Sequence, residues 1–141
     1  MKDPDTYNIY KSFMPIYRGM DPEKYLAEPY VTPGNVDGPD SPYFGRGGWT
    51  WYTGSAAWYF NVGIEGILGI KANCEGLSID PMLPKEWDEV KVKRFFRGKI
   101  LNITYKKSTQ KQILVNGKKL EGNTLNPQDF KEEILNVTVY Y

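Results

Sequence analysis

The stretch from Gly45 to Trp58, with the sequence GRGGWTWYTGSAAW, constrains the fold more than any other part of the chain. Glycines near its start allow positive φ angles and a close approach of another group to the backbone. Thr53 is a natural N-cap, because its side-chain oxygen can accept a hydrogen bond from an amide of the first helical turn. Gly69 stands where a glycine ends a helix. Apolar residues recur between them at helical spacing: Ala57, Phe60, Ile64, Ile67 and Leu68, with Trp58 and Val62 widening the stripe.

The start of this predicted helix is a candidate anion site. A helix N-terminus presents unpaired amides and a partial positive charge, which together favour a bound anion. The functional interpretation is therefore a phosphate or sugar pocket with a glycine-rich floor and aromatic walls. The alternative interpretation is a buried helix whose tryptophans belong to the core.

Composition describes an ordinary globular chain with an uneven charge distribution. Of its 141 residues, 40% are hydrophobic and 25% are charged, which fits one modest domain or two small lobes. The net charge of +1 gives no reason to expect nucleic acid or a membrane as a partner. Residues 1–69 carry 5 basic and 8 acidic residues, whereas residues 70–141 carry 13 basic and 9 acidic residues. This asymmetry marks a boundary near Gly69, between the predicted helical segment over residues 1–69 and the predicted C-terminal β-domain over residues 70–141.

Two residue types exclude several kinds of site within this chain. Cys74 is the single cysteine and there is no histidine, so an internal disulfide, a histidine metal ligand and a histidine general base are all excluded. We expect no metal and no cofactor. Since no apolar run approaches the length of a membrane span and the first residues lack the apolar core of a signal peptide, we expect a cytoplasmic protein.

The residues before Gly45 predict short helices followed by a long loop. A helix is expected over residues 6–20, with a kink at Pro15. Asp21 and Pro22 predict the N-cap and the first residue of a second short helix. Residues 32–44 are rich in proline, glycine, aspartate and asparagine, which predicts a loop that is functional or mobile.

Beyond Gly69 the hydrophobic period changes to that of β-strands. The dipeptide Asn116-Gly117 between two short apolar segments is a strong signal for a type I′ hairpin. Several short strands with one apolar face indicate a β-sandwich or half of one. The predicted strands comprise residues 77–80, 90–93, 101–105, 112–115 and 118–120, and a final strand in which Leu135, Val137, Val139 and Tyr141 share one face.

Five short elements stand in order along the chain: EPYV at 28–31, the stretch at 45–58, GILG at 66–69, IDP at 79–81 and PKEW at 84–87. Together they resemble the C-terminal end of the cellobiose/chitobiose phosphorylase family, glycoside hydrolase family 94. Cyclic β-1,2-glucan synthases carry a similar segment. The resemblance implies an α+β fold, in which N-terminal helices resembling the last part of an (α/α)6 barrel precede a C-terminal antiparallel β-sandwich-like domain.

The resemblance also implies a reaction and a phosphate site. Enzymes of this family cleave a β-glycosidic bond with inorganic phosphate as co-substrate and invert the anomeric centre. One carboxylic acid protonates the leaving oxygen, while phosphate replaces the water of an inverting hydrolase. The family's Thr-Gly pair after the aromatic run contributes to the phosphate site and corresponds to Thr53 and Gly54. The family's general-acid aspartate belongs to an upstream motif absent from this sequence, and the place of a glutamine in the cellobiose enzymes is held by Gly34.

Four further residues are candidate substrate contacts, and each has a structural alternative. Glu28 follows a helix that faces the barrel in the family, so it is a candidate for a sugar hydroxyl. Arg46 either clamps an anion or pairs with a loop carboxylate. Trp49 and Trp51 either stack on a sugar or pack within the fold.

Three functional hypotheses follow, and none assigns a catalytic residue to this chain. The first is a C-terminal fragment or subunit of an inverting disaccharide phosphorylase. It would act on a disaccharide or oligosaccharide with phosphate, completed by an upstream barrel chain or by self-association. The second is a non-catalytic carbohydrate-binding or interaction module, and the third is an inactive remnant. The isolated chain is expected to be inactive, and the sequence does not identify the sugar.

Overall fold

The computed structural model describes residues 6–51 and 53–141, with the side chain of Thr53 outside that description. The chain forms two compact units, Met1–Ile67 and Leu68–Tyr141. The first unit holds the helices and the second holds most of the strands. The fold is therefore α+β, as the sequence predicts.

The helices of the first unit are short and are separated by proline and glycine. They are α1 (Thr6–Ser12), α2 (Pro15–Arg18), α3 (Pro22–Tyr25) and α4 (Thr53–Asn61), and α4 continues as a π-helical segment over Val62–Ile67.

The helix expected over residues 6–20 is two helices rather than one kinked helix. The break falls before Pro15, which has no amide hydrogen and takes the first position of α2. The cap predicted for α3 is confirmed, because the side chain of Asp21 accepts a hydrogen bond from the Lys24 amide at 3.3 Å and Pro22 follows at the first position.

The loop predicted over residues 32–44 contains one strand of a very short hairpin. Strand β1 (Asn35–Val36) pairs antiparallel with β2 (Gly47–Gly48). A Cβ atom added at Gly47 would lie 2.8 Å from the ring of Tyr25, so this strand approaches the core too closely for a side chain. Two-residue strands leave no alternating pattern, which is why the sequence does not reveal this pairing.

The core of the first unit does not include the tryptophans that precede and open α4. Tyr25 is 1% exposed, and its hydroxyl donates to the Val31 carbonyl oxygen at 3.4 Å. In contrast, Trp49 and Trp58 are each 74% exposed and Trp51 is 67% exposed. The interpretation of these tryptophans as core residues is therefore wrong. The first half of the helical stripe is exposed as well, since Phe60 and Val62 are 61% and 43% exposed, whereas Ile67 near its end is buried.

The second unit contains two sheets. One has five strands in the order β5-β6-β10-β7-β8, and the other has three strands in the order β3-β4-β9. A short 3-10 helix over Pro127–Asp129 precedes the last strand. The strands are β3 (Ile70–Ala72), β4 (Leu77–Ile79), β5 (Glu89–Phe96), β6 (Lys99–Lys106), β7 (Gln112–Val115), β8 (Lys118–Lys119), β9 (Thr124–Leu125) and β10 (Ile134–Tyr140).

The predicted hairpin and the predicted final strand are confirmed. Strands β7 and β8 pair antiparallel around Asn116 and Gly117, whose φ angles of 49° and 81° fit a type I′ turn. The inward face of β10 is fully buried. Both sheets supply apolar side chains to the core: Ile70, Leu77, Ile79, Leu101, Ile103, Tyr105, Ile113, Val115, Leu125, Leu135, Val137 and Val139.

One strand pair corrects the expectation of an antiparallel domain. Strand β10 lies parallel to β6, although its other neighbour, β7, is antiparallel. A parallel pair requires a long connection, and the chain between Lys106 and Ile134 supplies it through three shorter strands. The other strand pairs of the described residues are antiparallel.

Within residues 6–51 and 53–141, the helices are all too short to cross a lipid bilayer.

Candidate functional site

Helix α4 begins inside the glycine- and tryptophan-rich stretch, at Thr53. Gly54 follows in the first turn, and a Cβ atom added there would meet no atom within 4 Å. Ser55 fixes this turn to the preceding loop, because its hydroxyl donates to the Pro33 carbonyl oxygen at 2.8 Å. There is therefore room for a group beside Gly54, and the first amides of α4 lack intrahelical acceptors, as in any helix. Capping by the Thr53 side chain lies outside the described residues and stays a prediction.

The backbone before α4 adopts an uncommon conformation at two tryptophans. Trp49 and Trp51 have φ angles of 54° and 64°, in the left-handed region that bulky residues rarely occupy. Each such residue costs roughly 1–3 kcal/mol and persists only where the surroundings hold it. We call residues 45–51 the glycine–tryptophan loop.

Gly34 is one of the groups that hold this loop. Its amide donates to the carbonyl oxygens of Gly48 and Trp49 at 3.0 and 3.1 Å. A Cβ atom at Gly34 would lie 2.9 Å from the Cβ atom of Trp49, so a larger residue would displace the tryptophan backbone. Gly34 therefore has a structural role in this chain.

Trp51 is held by two residues of the EPYV element. Its indole Nε1 donates to Oε1 of Glu28 at 3.0 Å. Its ring also meets the ring of Tyr30 edge to face, with centroids 6.2 Å apart and planes at 70°. Because Trp51 is largely exposed, these directed contacts restrain it more than burial does. The structure thus brings together two of the predicted substrate residues, Glu28 and Trp51.

A shallow depression opens beside this contact, with a volume of about 420 Å³. Its lining residues include Glu28, Thr50 and Leu26, the residue that follows α3. The depression is open to solvent and has room for a polar ligand, but it lacks the enclosed apolar walls typical of a small-molecule pocket.

Arg46 is paired within its own loop. Both Nε and Nη2 of its guanidinium lie 3.1 Å from Oδ2 of Asp37. The Asp37 amide donates to the Arg46 carbonyl oxygen at 2.9 Å, and the guanidinium lies over the Tyr43 ring at 4.3 Å from its centroid. The alternative in which Arg46 pairs with a loop carboxylate is therefore present. Binding of an anion by Arg46 stays a prediction.

A second cavity, of about 280 Å³, lies between α4 and residues 32–36. Phe13, Trp58 and Tyr59 contribute to its mainly apolar wall. The hydroxyl of Tyr59 donates to the Tyr10 carbonyl oxygen at 3.0 Å, and the two rings stack with centroids 4.2 Å apart. Burial, reinforced by Tyr10, raises the pKa of Tyr59 well above its ordinary value. This cavity is better suited to an apolar group than to phosphate.

The sequence predicted the candidate binding residues and a loop carboxylate for Arg46, but not the supporting contacts of Tyr30 and Gly34. Tyr30, Asp37 and Gly34 fix Trp51, Arg46 and Trp49, yet only Tyr30 stands within a recognisable motif. The described residues contain no group of acidic and cysteine side chains suited to a metal ion.

Comparison with known proteins matches the two units to two different family models. Residues 3–69 match the catalytic domain of the glycosyl hydrolase 94 superfamily. Residues 71–121 match the C-terminal domain of glycosyl hydrolase family 65. The change of model therefore falls close to the division between the compact units.

Three curated relatives illustrate the similarity. The chain is 42% identical to a cyclic beta-(1,2)-glucan synthase of Rhizobium meliloti, in an alignment that covers 59% of this chain and 3% of the synthase. It is 32% identical to an N,N'-diacetylchitobiose phosphorylase of Vibrio proteolyticus over 71% of its length and 13% of the relative. It is 25% identical to a solabiose phosphorylase of Paenibacillus borealis over 84% of its length and 16% of the relative.

The alignments thus span only 3% to 16% of the length of these relatives. The resemblance to cellobiose and chitobiose phosphorylases is confirmed for residues 3–69, the part of the chain that matches the catalytic-domain model of the glycosyl hydrolase 94 superfamily.

Proposed function

We propose that this chain forms the C-terminal part of an inverting disaccharide phosphorylase and contributes to its phosphate site. The family match and the similarity to several phosphorylases support the class of reaction. The observation that carries the proposal is the start of α4 at Thr53, inside the motif, with open space beside Gly54.

The proposed phosphate contacts are Thr53 and Gly54. Amides of a first helical turn lack intrahelical acceptors, so they can donate to phosphate oxygens, and the helix dipole adds a favourable field. The hydroxyl of Thr53 supplies a further donor, and Gly54 leaves room for the anion because it has no side chain. Phosphate held here would be restrained for attack on the anomeric carbon.

Inverting phosphorolysis also requires a carboxylic acid on the opposite side of the sugar. The acid protonates the departing glycosidic oxygen while phosphate attacks from the other face. Two carboxylates near the motif already have partners, since Asp37 pairs with Arg46 and Glu28 accepts from Trp51. We propose that another part of the assembled enzyme supplies the acid, and that this chain alone lacks it.

The aromatic residues of the glycine–tryptophan loop are the proposed sugar-facing surface. Trp49 and Trp51 expose about three quarters and two thirds of their surface, and aromatic faces stack well on the apolar faces of sugars. Arg46, already oriented by Asp37 and Tyr43, is proposed to contact an anionic or hydroxyl group at the loop edge.

The first unit is proposed to complete an (α/α)6 barrel. Four apolar side chains, which we call the exposed apolar face, are between 48% and 74% exposed: Phe13, Ile16, Trp58 and Phe60. Apolar surface of this kind marks interfaces in soluble proteins. Upstream barrel helices, or a second copy of this chain, would cover it.

A complementation experiment tests the proposal. The chain is mixed with a chitobiose phosphorylase from which the matching C-terminal segment has been removed, and sugar phosphate release is measured with and without phosphate. We expect phosphate-dependent release from the mixture and none from either part alone. Release at ordinary enzyme rates by this chain alone would contradict the proposed origin of the acid, because loss of a general acid typically costs about 10²–10⁴ in rate.

A second candidate function is carbohydrate binding without catalysis. The exposure of Trp49, Trp51 and Tyr30 on one loop region favours it, since binding surfaces for sugars present rings to solvent. Glycan-array binding by the isolated chain that is lost in Trp49→Ala, together with failed complementation, would favour this function over the first.

A further inference from the structure

We infer that Glu28 is a positioning residue for the phosphate site: by holding the indole of Trp51 it fixes the strained backbone that leads into α4. This inference rests on the proposed function for its consequence, but the hydrogen bond between Glu28 and Trp51 exists in the chain itself. The alternative role predicted from the sequence, contact of Glu28 with a sugar hydroxyl, is distinguished by the second test below.

The geometry explains why Trp51 needs such a partner. Its φ angle of 64° is unfavourable for a residue with a Cβ atom, and its 67% exposed side chain gains little from burial. The described contacts of the indole are the hydrogen bond to Glu28 at 3.0 Å and the ring contact with Tyr30 at 6.2 Å. Both lie in the EPYV element, so that element is the anchor for this end of the loop.

The anchor itself is attached to the core of the first unit. The Val31 amide donates to the Glu28 carbonyl oxygen at 3.1 Å, closing a turn. The Val31 carbonyl oxygen in turn accepts from the hydroxyl of Tyr25, which is 1% exposed. The carboxylate of Glu28 therefore extends from a fixed turn, and Trp51 is two residues from the first residue of α4.

The position of Gly34 supports the same conclusion from the other end of the loop. Its amide binds the Gly48 and Trp49 carbonyl oxygens, so Trp49 is restrained through its backbone. Trp51 is restrained through its side chain instead. Loss of either restraint is expected to loosen the backbone that leads into α4. Only the restraint on Trp51 can be removed by changing a partner side chain, because Gly34 acts through its backbone amide.

The first test uses the ligand-free chain and nuclear magnetic resonance. We would follow the indole N–H signal of Trp51, identified by its loss in Trp51→Phe, and the amide exchange of residues 57–60, whose amides bond to carbonyl oxygens of the first turn in an α-helix that begins at Thr53. Glu28→Ala is expected to shift the indole signal and to speed exchange about three- to tenfold, the range given by losing one hydrogen bond. Glu28→Gln keeps an acceptor oxygen and is expected to stay within about twofold of the unchanged chain.

The matched control is Asp40→Ala, which removes an exposed carboxylate from the same unit and is expected to leave both signals unchanged. Unchanged exchange in Glu28→Ala would overturn the inference. Equal effects of Glu28→Gln and Glu28→Ala would also overturn it, because charge rather than the hydrogen bond would then be responsible.

The second test uses the complemented phosphorylase. Glu28→Ala is expected to raise the KM for phosphate about three- to tenfold, because the start of α4 loses its restraint. Glu28→Gln is expected to restore the phosphate KM. A rise in the disaccharide KM alone would instead identify Glu28 as a sugar contact and overturn the inference. If the unchanged assembly shows no phosphorolysis, the proposed function fails, while the exchange measurement still decides whether Glu28 positions α4.

Discussion

Tyr105 illustrates how one buried polar group contributes to the second unit. Its side chain is completely buried in the sheet core, and its hydroxyl donates to the Leu68 carbonyl oxygen at 2.8 Å. Burial raises the pKa of Tyr105 well above its ordinary value of 10.0. The folded chain therefore keeps this proton at a pH at which the unfolded chain has lost it.

The sign of the pH dependence follows from this shift. Below about pH 10 both states are protonated and the hydrogen bond contributes about 0.5–1.5 kcal/mol, which Tyr105→Phe removes. Above about pH 10 only the unfolded state ionises, so the unfolding free energy falls by up to about 1.4 kcal/mol per pH unit from this group. Urea unfolding from pH 8 to 11 should show the advantage of the unchanged chain over Tyr105→Phe shrinking. An advantage that is constant with pH would contradict this account.

The hairpin between β7 and β8 needs a glycine at its turn because of the backbone conformation there, and not because a side chain would clash. Gly117 has a φ angle of 81°, and a Cβ atom added there would meet no atom within 4 Å. Gly117→Ala is therefore expected to destabilise the second unit by roughly 1–2 kcal/mol through its left-handed conformation. Gly117→Asn should retain most of the stability, since asparagine tolerates this region. Thermal unfolding measures both, and equal stability of the alanine variant would show that the turn can change type.

Some elements were predictable because a local signal specifies them. The Asp21-Pro22 cap and the Asn116-Gly117 turn each need only neighbouring residues, and both are present. The two-residue pairing of β1 with β2 was not predictable, because it depends on contacts across the loop rather than on a repeating pattern.

The parallel pair of β6 and β10 has a signal in the sequence, a repeated pattern of five residues. The segments LNITY at 101–105 and LNVTV at 135–139 have the same pattern, and the structure aligns them residue for residue. Leu101 faces the position of Leu135, and Asn102 donates to Asn136 at 3.2 Å. Hydrophobic alternation alone is the same for both pairing directions, so it could not select between them.

The sequence predicted which residues belong to the candidate site, but it did not predict the contacts that hold them in place. Motif resemblance identified Glu28, Arg46 and Trp51, but their mutual arrangement depends on long-range contacts such as that between residues 28 and 51. The exposure of the tryptophans was not predictable either, since composition and helical spacing favour packing of such side chains within the fold.

At the scale of the whole molecule, the exposed apolar face predicts association. Phe60 and Trp58 are 61% and 74% exposed, so a concentrated solution of the chain should form dimers or larger species that bind an apolar dye. Phe60→Glu is expected to reduce both effects. Phe95→Glu is the matched control, because Phe95 is 72% exposed in the second unit. Sedimentation velocity distinguishes the outcomes, and a monomer without dye binding at high concentration would contradict the prediction.

The phosphate dependence of a Thr53→Val variant tests the central claim most directly. Valine keeps the shape of threonine but removes the hydroxyl, and a lost hydrogen bond to a charged group costs roughly 1.5–3 kcal/mol. In the complemented enzyme the phosphate KM should therefore rise about 10–100-fold, while Thr50→Val, the matched control, stays within about twofold. Helix capping can change by about 1 kcal/mol in the same variant, so thermal unfolding is measured in parallel. A phosphate KM that is unchanged in Thr53→Val but raised in Thr50→Val would show that the phosphate binds before α4 and not at its first turn.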